Sequence, residues 1–96
     1  MARDTQPMPI VRFTAVLIRL SSGSGAWTFV EVPAHLAPAP QHPWGRTPVT
    51  ATVDGRCWRT SVWRERSGRT LLPVPRAVRG ARGPGTMVHV ELEFAL

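Results

Sequence analysis

The C-terminal segment Thr86–Leu96 (TMVHVELEFAL) sets Val88, Val90, Leu92 and Phe94 against His89, Glu91 and Glu93 in strict alternation. A period of two puts successive side chains on opposite sides of the backbone, so this is a strand with one packed and one wet face. Such a strand needs partners, and the chain offers five more candidates. Ile10–Leu20, Ala26–Val32, Thr47–Val53, Arg56–Trp63 and Arg69–Val74 are rich in β-branched and apolar residues and are bounded by turn formers. Asp54-Gly55 is a favoured two-residue hairpin turn, and Ser21-Ser22-Gly23-Ser24-Gly25 reverses the chain between the first two strands. In Ile10–Leu20, Phe13, Ala15 and Leu17 share one face and Val16, Ile18 and Leu20 the other. Apolar residues on both faces predict two-sided burial, a pocket wall or a dimer contact.

Helices have little room. Pro38, Pro40 and Pro43 confine any helix after Pro33 to one turn around Ala34–Ala37. Pro75 can open a second short helix over Arg76–Arg82, stopped by Gly83-Pro84-Gly85. The fold class is therefore mainly β: a small barrel of about six strands with one or two short helices. Residues 1–9, with two prolines, read as a flexible leader, and residues 10–96 as a single domain. A chain of 96 residues is too short for a full dinucleotide-binding fold or an eight-fold α/β barrel.

The charge is uneven. The chain carries a net +6 from twelve arginines, no lysine and six acids. Eight of those arginines lie between Arg56 and Arg82, accompanied by one acid, Glu65. Such a stretch is either a solvated face or a patch for phosphates, carboxylates or anionic surfaces. Cys57 is alone, which excludes an intrachain disulfide and predicts a small buried side chain within its strand. The N-terminal apolar run resembles a signal segment, but Arg12 and Arg19 interrupt it, and a cytoplasmic location is expected.

The order of several short motifs resembles one bacterial family, domain of unknown function 1905. The matching stretches are Trp27–Pro33, Thr47–Gly55, Trp58–Val62, Leu71–Val74 with Ala77-Val78-Arg79, and Gly85–Leu92. The resemblance spans Phe13 to Phe94 and rests on order and spacing more than on any single motif. It implies a double-split β-barrel related to swapped-hairpin transcription factors of AbrB type, and no established activity. In some bacteria the domain is joined to a bacteriocin-protective domain. Three departures stand out. Pro75-Arg76 replace the neighbourhood of a usual lysine, so only Arg76 can inherit its role. Gly85-Thr86 replaces a usual Gly-Asp, and the loop Pro38–Trp44 is richer in proline.

Among residues able to carry chemistry, Arg59 and Ser61 share a strand face, about 7 Å apart, and offer charge plus a directed hydroxyl. Arg76 and Arg79, three apart on a short helix, can converge on the same anion; otherwise Arg59 bridges structurally to Asp54, Glu31 or Glu91. Of the four tryptophans, Trp27 and Trp58 fit core positions, whereas Trp44 and Trp63 are expected at the surface beside arginine. His35, His42 and His89 lie in different elements without metal-ligand spacing, so no metal or cofactor is expected. His89 is expected to be solvated or paired with Glu91 or Glu93, and no acid–base pair can be assigned.

Three functions follow as expectations. The first is a binding protein, monomer or homodimer, whose cleft of Arg59, Ser61, Trp63, Arg76, Arg79 and Trp44 takes an anionic or aromatic small molecule. Its furthest extension is a cyclase or isomerase of bacterial metabolism that works by positioning alone. The second is a nucleic-acid-binding, AbrB-like regulatory domain. The third is a protein-interaction or immunity-type module.

Overall fold

A computed structural model describes residues 10–22, 25–39 and 45–95. Residues 1–9, expected as a leader, Trp44 and His42 lie outside the described residues. Seven strands form one wholly antiparallel sheet: β1 (Ile10–Val16), β2 (Ile18–Ser22), β3 (Gly25–Val32), β4 (Arg46–Val53), β5 (Arg56–Arg64), β6 (Thr70–Pro73) and β7 (Met87–Phe94). Their order across the sheet is β1-β7-β4-β5-β6-β3-β2. The edge strands β1 and β2 are separated in the chain by Leu17 alone, so the sheet must curl until both edges meet one length of chain.

The count is seven strands, not six, because Ile10–Leu20 is divided at Leu17. Before the bend the chain pairs with β7, and after it with β3. Leu17 is fully buried, and its backbone remains bound to the turn before β7: its N–H donates to Thr86 at 2.9 Å and its carbonyl accepts from Gly85 at 2.7 Å. The apolar second face of this run also finds its explanation. Ile18 and Leu20 stand opposite Phe29 and Trp27 on the outside of the sheet.

The inner face is built largely from valine. Val30, Val32, Val49, Val53, Val62, Val88 and Val90 pack with Leu17, Leu72, Leu92 and Phe94 in one buried cluster. β-Branched side chains suit this surface because their stiff χ1 costs little in a strand. Two core expectations are corrected by strand phase. In β3, Thr28, Val30 and Val32 point inward, which leaves Trp27 outside and 61% exposed. In β5, Cys57 shares the outer face of Arg59 and is exposed.

Helical structure is slight: a 3-10 turn at Ala34–Leu36 and α1 at Arg76–Arg79. The second helix is shorter than Arg76–Arg82 because Gly80 takes a left-handed φ of 64° and ends it. Arg82 then folds back, its Nε donating to the Arg79 carbonyl at 2.8 Å and its Nη2 to the Val78 carbonyl at 3.3 Å. These carbonyls are among those a helix end leaves unpaired. Arg82 also forms an ion pair with Asp54 in the β4–β5 turn. Asp54 has φ 47° and Gly55 φ 85°, as a hairpin turn of this kind requires.

Candidate functional site

β5 is the strand that decides where a site can form. It pairs with β4 along eight residues, from Arg56 opposite Val53 to Trp63 opposite Arg46. With β6 it shares two pairs, Trp63 with Leu71 and Arg64 with Thr70. Beyond that point the two strands diverge, and α1, together with the start of β3, fills the gap.

A cleft of about 370 Å³ lies in this gap. Trp58 and Thr60 of β5 form one side, Trp27 and Thr28 of β3 another, and Arg76 and Arg79 of α1 close it. Val78, on the same helix, is buried in the core and fixes how α1 sits. The Arg56 guanidinium donates to the Ala77 carbonyl at 3.0 Å and ties the helix to β5. Val74 extends the contact from the other side, its N–H donating to Thr28 at 2.9 Å.

The electrostatics of the cleft are one-sided. Among the described residues no carboxylate lines it. Arg76 makes no ion pair or side-chain hydrogen bond, and Arg79 makes one weak bond, from Nη1 to the Gly80 carbonyl at 3.4 Å. The Arg79 Nε–H is buried and has no acceptor. A buried donor without a partner is uncommon and costs free energy.

Three other arginines show the contrast. Arg12 pairs with Glu91 at 2.9 Å, Arg69 with Glu65 at 2.9 Å, and Arg82 with Asp54. The Asp54 carboxyl is held below its ordinary value, first by the His89 backbone N–H, which donates to it at 2.8 Å, and then by Arg82. Glu65 is lowered chiefly by its hydrogen bond from Arg69. A hollow of about 430 Å³ over β1, β7 and β4 is lined by Arg12, Asp54, His89 and Glu91. Its arginine and both carboxylates are already engaged, so little is left to attract a ligand. His89 is exposed and makes no side-chain hydrogen bond; Glu91 turns to Arg12 instead.

The expected site residues divide between two places. Arg76 and Arg79 share the cleft. Arg59, Ser61 and Trp63 share a second hollow of about 430 Å³ on the outer face of β4 and β5, with Arg46 and Thr50. Arg59 makes no bridge to Asp54, Glu31 or Glu91. Trp44 lies outside the described residues. Trp58 is partly buried and packs against the core, as its strand position predicts, and also lines the cleft, whereas Trp27 is exposed; Arg46 was not among the expected site residues. A signal for Trp58 was its phase in β5, which sets it with Thr60 opposite the face of Arg59 and Ser61. Among the described residues no three histidine, cysteine or acidic side chains gather as metal ligands would, and no helix is long and apolar enough to cross a membrane.

No curated protein matches the chain. The model of one family, Domain of unknown function (DUF1905), matches residues 13–92, a span that takes in β2 to β6 entire, α1, the cleft, parts of β1 and β7 and most of the outer hollow. A match over most of the chain settles its kinship: this protein is a member of the DUF1905 family.

Proposed function

We propose that the protein binds a small anionic molecule carrying a planar ring, in the cleft between β5, β3 and α1. The observation that carries this reading is the pair Arg76 and Arg79, set beside Trp58 and Trp27 with no carboxylate to neutralise them. Guanidinium groups grip carboxylates and phosphates in a plane, and indole rings stack on flat apolar groups, so one ligand satisfies both. Thr28 and Thr60 add hydroxyls that can orient it. Pockets of this make-up, mostly apolar with a few placed polar groups, suit small molecules. Neither a nucleophile paired with a base nor a metal cluster accompanies the cleft, so catalysis, if the ligand reacts there, rests on positioning; a cyclisation or isomerisation fits that description.

Thermal unfolding with 1-naphthoate and phenylphosphate tests the reading. Saturating ligand should raise the melting temperature and quench tryptophan fluorescence, with a stabilisation of about 2.7 kcal/mol at a hundredfold excess over Kd. Arg79→Gln and Trp58→Leu should each abolish the rise, whereas Arg59→Gln should keep it. A parent protein indifferent to both compounds, or an Arg79→Gln variant that responds as the parent does, overturns it.

A further inference from the structure

The outer face of β4 and β5 carries a second set of unpartnered groups, separate from the cleft. Residues opposite one another in the ladder share a face, so Arg46 stands beside Trp63 and Thr50 beside Arg59, with Ser61 between the two arginine positions. The Arg46 guanidinium carbon lies 5.8 Å from the centre of the Trp63 ring. Among the described residues Arg59 and the Ser61 hydroxyl make no hydrogen bond or ion pair, and no acid lines their hollow.

Trp63 also forms a wall of a neighbouring apolar slot of about 380 Å³, with Phe29, Leu71, Pro73 and Trp27. The acid at its rim, Glu65, is already taken up by Arg69 at 2.9 Å and Ser67 at 3.3 Å. One exposed indole thus borders a cationic hollow on one side and an aromatic, apolar slot on the other.

From this juxtaposition we infer that the outer face of β4, β5 and β6 binds single-stranded nucleic acid, with phosphates on Arg46 and Arg59 and an unpaired base against Trp63. The backbones of the two arginine positions are separated along the sheet by four residues, about 13 Å at the usual rise. That spacing, with a hydroxyl between, suits phosphates two linkages apart on one strand better than a single phosphate. Base stacking on an aromatic ring beside a basic groove is how sequence-tolerant single-strand binders work.

The test is fluorescence anisotropy of a labelled short oligothymidylate titrated with the whole protein at two salt concentrations. Binding should weaken with salt, and Arg59→Gln should lower the log–log slope by about 0.7, the share of one phosphate on a single strand. Trp63→Leu should weaken binding about tenfold, with the slope kept. Arg79→Gln, a cleft variant, should bind the oligonucleotide as the parent does, so the two sites fail or stand separately. Absence of binding at low salt overturns the inference. So do parental affinities in both Arg59→Gln and Trp63→Leu, free thymidine monophosphate binding as tightly as the strand, or capture by anionic vesicles without capture of the oligonucleotide.

Discussion

The two flanks of β5 differ in how far their ladders run. Towards β4 the strand is paired over eight residues, and β4 in turn is paired with β7, and β7 with β1 over seven. Towards β6 the pairing ends after two residues. On the laddered flank some charges of the outer surface are matched, Arg12 with Glu91 and Asp54 with Arg82 and with the His89 backbone, whereas among the described residues Arg46 and Arg59 make no ion pair. On the open flank Arg76 and Arg79 face tryptophan and solvent without a counter-charge. A sheet that stops pairing exposes side chains from three elements to one space. Here that space holds Arg76 and Arg79 beside Trp58 and Trp27.

Several substitutions can break or sharpen this contrast. The largest effect belongs to the laddered flank. Leu92→Ala empties a fully buried position in β7 and should cost roughly 2–5 kcal/mol, which denaturant melts will show. A loss well under that range would mean that this flank is loosely packed. Gly45→Ala comes next. Gly45 has φ 71°, and an added Cβ would lie 2.7 Å from the Arg64 carbonyl oxygen. The strain should cost roughly 1–3 kcal/mol, read as a lowered midpoint of urea unfolding.

Asp54→Asn is subtler. Asparagine tolerates the left-handed turn and still accepts from His89, so the change removes only the charge that holds Arg82 over the end of α1. It should cost about 1 kcal/mol at neutral pH, since both side chains are partly exposed. The pH dependence has a definite sign. The Asp54 carboxyl is depressed in the folded chain, so its contribution is complete above the ordinary aspartate value of 3.8 and fades as pH falls through the lower folded value. The parent and the Asn variant should therefore converge in stability in acid, as followed by melting temperature from pH 7 down to pH 2; curves that stay parallel would contradict the assignment.

The smallest effect on stability is the most telling. Arg79→Gln removes a buried, unpartnered N–H from the open flank and should leave stability unchanged or slightly raised, while ligand binding is lost. A strong destabilisation would mean that Arg79 serves the fold.

Much of the sheet was legible because its signals are local. The alternation in β7, the Asp54-Gly55 turn and the proline limits on helix length each act within a few residues. The division at Leu17 was not, because it depends on which partner each half of the strand finds. Trp27 misled because an indole suits a core position, yet strand phase gave the inner positions to Thr28, Val30 and Val32. The site was half legible. The spacing of Arg76 and Arg79 did bring them to one place, and the phase of β5 already turned Arg59 away from Trp58, but nothing local tells that β6 leaves β5 at Trp63 and opens the cleft there.

The central claim concerns the orphaned guanidinium of Arg79, which can be watched directly. In an NMR titration of nitrogen-labelled protein with phenylphosphate, the Arg79 Nε–H resonance should move progressively downfield and saturate, together with the Trp58 indole N–H. Titration that leaves both resonances still, while that of Arg59 moves, would show that the anion prefers the outer face and that the cleft beside α1 is not the small-molecule site.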